Sequence, residues 1–451
     1  MEHHATIAGI VTPLQESGVG ILRLSGPEAL SFAQKLFHAY GNKPMESHRA
    51  ILGQLKDELG NPLDEALVLP MMGPRSFTGE DTVEFHCHGN PYILKELLKA
   101  LLRLGARKSE AGEFTKRAFL NGRLDLTQSE AILDTIQANN KRALSMSLSQ
   151  MEGALTKTIV RIRESLMGTI GYLEATVDFP DDEIEDRYTT ERLQREIEAI
   201  ASKTAHLLST YETGKIIREG LLTVLVGRPN AGKSSLLNAL LGEDRAIITE
   251  YPGTTRDAIV EQGNIGELVL NIVDTAGFRD TSDPIETLGI QKTYGYIGDA
   301  QLVLFLVDAR QGMTPEDEEM LDHLHALEKK YLVLFNKSDL LSEVPEDTPE
   351  QLHISAKTGR GLEALKVRIH SLYLGDIQED YTIGNLRYYE ILTKAQQSLT
   401  HFLVALENGQ VPYDLLSIDL REAWLSLSAI TGEDYSEDLL DSIFSRFCIG
   451  K

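Results

Sequence analysis

Three short stretches hold residues whose types and spacing could do chemistry. The first, "GRPNAGKS", sets Gly227, Gly232, Lys233 and Ser234 in the spacing of a phosphate loop. It follows the apolar run "LTVLV" and precedes "SLLNALL", so a strand feeds the loop and a helix leaves it. The glycines let backbone N–H groups curl around phosphate oxygens, and the helix N-terminus adds its positive end. Lys233 supplies a point charge to the β- and γ-phosphates, and the Ser234 hydroxyl is a ligand for Mg²⁺. The second stretch, "HCHG", holds His86, Cys87 and His88. On a strand the two histidines share a face and the thiol points away, so the three do not converge on one metal ion. The third is the final "FCIGK", with Cys448. A prenylation box needs a last residue other than Lys451, and metal partners are lacking, so from the residues alone this is a frayed tail with an incidental thiol.

The elements that must position these residues alternate in texture. Residues 1–118 mix short apolar runs ("GVGILRLSG", "EALVLPMM", "DTVEFHCHG") with helix-like stretches such as "PYILKELLKALLRLGA", a small α+β domain. Residues 119–215 read as largely helical. Residues 216–375 switch to strand–turn–helix units whose continuous apolar runs fit buried parallel strands of a doubly wound sheet. Helical texture returns over 376–451, so the economical reading is an α/β domain inserted into a helical one. A chain of 451 residues exceeds one core and accommodates this plan.

Composition narrows the class. Apolar residues make up 42% and charged residues 25%, as in ordinary globular chains. No apolar run is long enough to span a membrane, and "MEHHATIAGIVTP" lacks the pattern of a secretory leader. Two cysteines are too few for a disulfide framework, so a cytoplasmic location is expected. The net charge of −24 argues against a broad nucleic-acid coat, while leaving room for a local basic patch.

Further motifs complete a nucleotide site. "NKSD", Asn336 to Asp339, ends the strand "YLVLF" and resembles the NKxD element of Ras-like GTPases. The Asp339 carboxylate can accept from both N1–H and the exocyclic amine of guanine, a pairing adenine lacks. Lys337 belongs to the same element, and "ISAKTG", with Ser355, Ala356 and Lys357, resembles the supporting guanine loop. "DTAG", Asp274, Thr275, Ala276 and Gly277, resembles the γ-phosphate switch, and "GTTRD" the other switch, with Thr255 as second Mg²⁺ ligand. Ala231, Ser235 and the loop Thr249, Glu250, Tyr251, Pro252, Gly253 and Thr254 complete the expected GTP-binding set. Where Ras carries a water-orienting glutamine this chain has Phe278, which cannot orient water by hydrogen bonding. A monovalent cation held by Asn230 and the loop "ITEYPGTT" could replace an arginine finger, and Glu286 could position the water. From the residues alone, Glu286 is more simply a solvated loop charge.

"GRPNAGKSSLLNALL", "GTTRD", "DTAGFRDTSDPIETLGI", "FTGEDTVEFHCHGNP", "AGEFTKRAFLNGRLDLTQSEAI" and "FCIGK" together resemble the bacterial and organellar tRNA-modification GTPases called MnmE or TrmE, over essentially the whole chain. The resemblance implies a multidomain fold: an N-terminal α+β folate-binding and dimerisation domain, a helical domain and an inserted Ras-like GTPase domain. It implies a K⁺-activated, Mg²⁺-dependent GTPase that forms a homodimer and a heterotetramer with the FAD-dependent protein MnmG. That pair would add a carboxymethylaminomethyl or aminomethyl group to C5 of the wobble uridine of certain tRNAs, with carbon from 5,10-methylene-tetrahydrofolate. Carried over by residue, K⁺ would be held by Asn230, Thr249, Tyr251 and Thr254, with Glu286 as the water-orienting acid. Folate, or its analogue 5-formyl-tetrahydrofolate, would meet Arg23, Glu84, Arg123 and Lys451, and Cys448 would stand where the one-carbon unit is handled. Family members often carry lysine at the position of Arg123, which keeps the charge and changes the hydrogen-bond geometry. The competing expectation is a GTP-regulated assembly factor of the ribosome-biogenesis type, without tRNA chemistry.

Two weaker signals complete the expectations. Trp424 falls at helical spacing with Leu420, Leu427 and Ile430, a core stripe rather than a base-stacking platform. Lys108, Lys116 and Arg117 are a weak candidate tRNA contact.

Overall fold

The computed structural model describes residues 5–178, 190–242, 260–274, 295–375, 382–408 and 412–451. It divides into two compact units. The first comprises Met1–Ile136, Gln150–Ile197 and Gln397–Lys451, and the second Gln137–Ser149 and Glu198–Gln396. None of the described helices is long and apolar enough to cross a membrane.

The first unit is built on a mixed sheet. Its strands are β1 (Ile7–Ile10), β2 (Ser17–Ser25), β3 (Phe37–Ala39), β4 (Ile51–Lys56), β5 (Pro62–Met71), β6 (Thr82–Gly89) and β7 (Arg107–Lys108). They lie in the order β3-β4-β5-β6-β2-β1-β7, all neighbours antiparallel except β1 and β7. Alternation along β6 decides which residues face the core: Val83, Phe85 and Cys87 are buried, while Glu84, His86 and His88 take the other face. The helices Ala29–Leu36 and Pro91–Arg103 supply the rest of this core through Phe32, Leu36, Leu94, Leu97 and Leu101. Asn90 starts the second of these helices, its side chain accepting from the Tyr92 N–H, and Pro91 takes the first turn, where no amide donor is needed. Also in this unit, the helix Ala154–Asp178 packs against Tyr413–Thr431. Leu420, Leu427 and Ile430 are buried as the stripe requires, and the Arg163 guanidinium lies 4.6 Å from the Trp424 ring centroid.

The second unit carries a six-stranded sheet. Its strands are β8 (Leu221–Gly227), β9 (Val260–Ile265), β10 (Leu268–Asp274), β11 (Leu302–Asp308), β12 (Tyr331–Asn336) and β13 (Gln351–His353). The order is β13-β12-β11-β8-β10-β9, parallel except for the edge hairpin β9–β10. The continuous apolar runs have a direct cause. Leu304 and Leu306 of β11 enter a core on one face of the sheet, and Val303, Phe305 and Val307 a second core on the other. Each such side chain contributes roughly 1.5–3 kcal/mol by leaving water, against about 1–2 kcal/mol to fix one residue's backbone. The carboxyl ends of β8, β11 and β12 therefore sit on a rigid base, and there the polar residues begin.

Candidate functional site

The phosphate loop forms where β8 ends. Gly227 has φ +147°, and a Cβ there would lie 2.3 Å from the Leu306 carbonyl oxygen of β11, so only glycine lets the loop leave the sheet. Asn230 adopts φ +62°, and the helix Lys233–Leu241 begins directly after Gly232. The buried Lys233 ammonium donates to the carbonyls of Gly227, at 2.6 Å, and Arg228, at 3.1 Å, so the loop already curls around the charge. Ser234 and Ser235 follow it at the exposed helix start.

Asn336 joins this loop to the guanine side. Its Nδ2 donates to the Ala231 carbonyl at 2.8 Å, and its Oδ1 accepts from the Ala356 N–H at 3.0 Å. A Cβ on Gly232 would fall 2.2 Å from that Nδ2, which explains the small residue opposite the clamp. Lys337, at φ +67°, sends its ammonium to the Asn230 carbonyl at 2.6 Å and to Asp308 Oδ2 at 2.7 Å. Ser355 Oγ donates to Asp339 Oδ1 at 2.6 Å and accepts from the Thr358 N–H, so the Asp339 carboxylate is held in a fixed orientation. Thus Asn230, Ala231, Gly232, Lys233, Asn336, Lys337, Asp339, Ser355 and Ala356 come together. Lys357 is exposed on the same loop.

Asp308 was missed by the sequence reading. Hydrogen bonds from Arg310, and then from Lys337, hold its carboxyl far below the usual range despite burial. The available signal was a lone acid at the carboxyl end of the apolar strand "LVLFLVD", where open α/β sheets place ligand sites. Asp274 ends β10, beside the Leu225 position of β8. Thr249, Glu250, Tyr251, Pro252, Gly253, Thr254, Thr255, Thr275, Ala276, Gly277, Phe278 and Glu286 lie outside the described residues.

A second polar cluster occupies the first unit. Arg23 of β2 stands opposite Glu84 of β6, and its Nε (2.9 Å) and Nη2 (2.8 Å) both reach Glu84 Oε1. The guanidinium lies 5.2 and 5.5 Å from the ring centroids of Phe77 and Phe114. Arg23 Nη1 is buried and has no hydrogen-bond partner among the described residues. Burial alone would raise the Glu84 pKa; a hydrogen bond from His86 and the charge and hydrogen bonds of Arg23 outweigh it, so the carboxyl stays below its ordinary range. The tail arrives by backbone contacts. Ile449 bridges Ala111, Gly450 at φ +98° lies against the Ile10 carbonyl, and the Lys451 carbonyl accepts from the Phe114 N–H at 3.2 Å. Burial, then the charge of Arg23, push the Lys451 ammonium below its ordinary value, with Glu84 and Cys448 pulling the other way. Arg23, Glu84, Lys451 and the exposed Cys448 are thus electrostatic neighbours. Arg123 shares no hydrogen bond or ion pair with them among the described residues and instead lines a groove with Phe119, Gln128, Thr431 and Tyr435.

Cys87 is 3% exposed, and burial pushes its thiol up to about 12. His88 is exposed and pairs with Asp64 at 2.7 Å, and no group of metal ligands is found among the described residues. Arg117 is a correction: it is 4% exposed, bound to Glu80 and Glu113, and so cannot present its charge to a tRNA. Lys116 pairs with Asp441.

A glycine-bounded phosphate loop at a strand–helix junction, tied through an asparagine to a loop with an oriented guanine-side carboxylate, defines a P-loop GTPase. Family models agree over most of the chain: "GTP-binding protein TrmE N-terminus" matches residues 6–123 and "MnmE helical domain" residues 126–448. Proteins called tRNA modification GTPase MnmE from Clostridioides difficile (42% identical) and Heliobacterium modesticaldum (43%) align over 99% of this chain and 99% of their own length. A solved structure of a variant of Aquifex aeolicus Era bound to GDP and aluminium fluoride is 29% identical over 40% of this chain and 66% of its own, with a TM-score of 0.28. The chain belongs to the MnmE family of tRNA modification GTPases. It is a GTP hydrolase, with GTP as substrate and a requirement for Mg²⁺.

Proposed function

We propose that the chain couples K⁺-activated GTP hydrolysis to a folate-dependent modification of the wobble uridine of tRNA, acting in the cytoplasm as a homodimer and together with MnmG. The domain boundaries of this reading are 1–118, 119–215 with 376–451, and 216–375. In the GTPase step Lys233 and the loop amides hold the phosphates, Ser234 and Thr255 hold Mg²⁺, and Asp339 selects guanine. Asn230 offers K⁺ an amide oxygen, of the hard-ligand kind that ion favours, with Thr249, Tyr251 and Thr254 completing the set and Glu286 orienting water.

The observation that carries the folate half is the Arg23–Glu84 pair with Lys451 beside it. The buried Nη1 of Arg23 lacks an acceptor, which a folate carbonyl or carboxylate would supply. Ionised Glu84 would accept from the N–H donors of the pterin edge, Lys451 would meet the ligand's anionic part, and Arg123 would join from its groove. The bound reduced folate supplies the one-carbon unit, and Cys448 stands near it. Calorimetric titration of 5-formyl-tetrahydrofolate into the full chain should give saturable binding that is lost in Arg23→Ala. Failure of the wild-type chain to bind would remove the folate half and leave the assembly-factor reading.

A further inference from the structure

We infer that His86 is a positioning residue for the folate pocket, setting the plane of the Glu84 carboxylate; this rests on the folate reading above. Arg23 reaches Glu84 through a single oxygen, since its Nε (2.9 Å) and its Nη2 (2.8 Å) both go to Oε1. A carboxylate held at one oxygen still turns about its own bond. The other oxygen, Oε2, lies 3.1 Å from His86 Nε2. Ionised Glu84 only accepts, so the imidazole carries the proton at Nε2 and donates it.

The placement follows from the strand. Glu84 and His86 are two residues apart on β6 and share a face, with Arg23 and Ile21 opposite them on β2 and Leu69 and Leu67 opposite on β5. The side chains of Glu84 and Arg23 are 13% and 12% exposed, and that of His86 30%, so the imidazole shields the outer side of the carboxylate. No backbone N–H is recorded on Glu84 among the described residues; two side chains alone fix it. The hydrogen bond from His86 is also the largest effect opposing burial in keeping Glu84 ionised. A ligand presenting two adjacent donors, an amide N–H and an amino group, needs both carboxylate oxygens in one fixed plane. The edge of a reduced pterin is such a ligand.

The test is the dissociation constant of 5-formyl-tetrahydrofolate for full-length variants, with thermal melting of each to confirm folding. His86→Leu removes the donor at similar bulk and should weaken binding about tenfold, the loss of one charge-assisted hydrogen bond. His86→Gln keeps a donor of similar reach and should restore most of it. In Glu84→Gln the addition of His86→Leu should weaken binding no further, because the role of His86 passes through Glu84. Equal losses in the leucine and glutamine variants, or full additivity with Glu84→Gln, would overturn the assignment. A wild-type chain that binds no reduced folate overturns the folate reading itself, whereas wild-type binding with an unaffected His86→Leu overturns only the role of His86.

Discussion

Asn336 provides a test of how the nucleotide site is prepared. Its amide is 2% exposed and ties the phosphate loop at Ala231 to the guanine-side loop at Ala356. Replacing it with alanine removes both hydrogen bonds. Each contributes about 1 kcal/mol net, and a stranded buried carbonyl at Ala231 costs about 1–3 kcal/mol if water does not replace the amide. The total is therefore about 2 kcal/mol at least, equivalent to about 30-fold in an equilibrium constant. Because the clamp ties the two loops to each other, its loss lets them drift, and nucleotide must then order them on binding. Fluorescent GDP titrated into Asn336→Ala should show that loss as a weaker Kd. Asn336→Asp should be no better: it can still accept from Ala356, but it turns a carboxylate oxygen toward the Ala231 carbonyl. A lowered melting temperature with unchanged Kd would refute the reasoning, since the clamp would then serve the fold and not the site.

Other expectations are simpler to check. GTP turnover should collapse when Na⁺ replaces K⁺, and Glu286→Ala should keep GTP affinity while losing hydrolysis; equal rates in the two salts would exclude the cation. Iodoacetamide at mildly alkaline pH should label the exposed Cys448 in the native chain and spare Cys87, whose buried thiol is held to about 12, until denaturant is added; mass spectrometry of the labelled peptides decides. The Asp64 hydrogen bond raises the His88 pKa above 6.5, so its NMR titration should have a late midpoint that moves down in Asp64→Asn. The sign follows for stability: this pairing is fully present below the unfolded-state value and is lost as pH rises through the folded one.

The parts legible in sequence were those governed by periodicity or by a short contiguous motif. The unbroken apolar run of β11 announced a strand covered on both faces, and Leu304 and Phe305 indeed feed opposite cores. Strand alternation set Cys87 and His88 on opposite faces, and the fold buries the first and exposes the second. The phosphate loop was readable because all its parts lie within eight consecutive residues. Pairings across long separations were not. Arg117 looks like an exposed charge until Glu80, 37 residues earlier, is folded against it. The Glu84–His86 contact lies two residues apart, yet its meaning needed Arg23 from another strand. The docking of residues 449–451 rests largely on main-chain atoms, which no side-chain pattern announces; only the resemblance grouped Lys451 with Arg23 and Glu84.

That docking has a consequence for biosynthesis. The β1 residue Ile10 and Ala111 and Phe114 wait on one side of the clasp, and residues 449–451 close it from the other. The two sides lie far apart along the chain, so synthesis delivers them at different times. The sheet bearing Arg23 and Glu84 can fold early, as N-terminal segments generally do. Lys451 joins them only after the intervening helical and α/β segments have been made. Until residues 449–451 have been made, the folded sheet carries an open pocket, so completion of this site waits on a far segment of the chain.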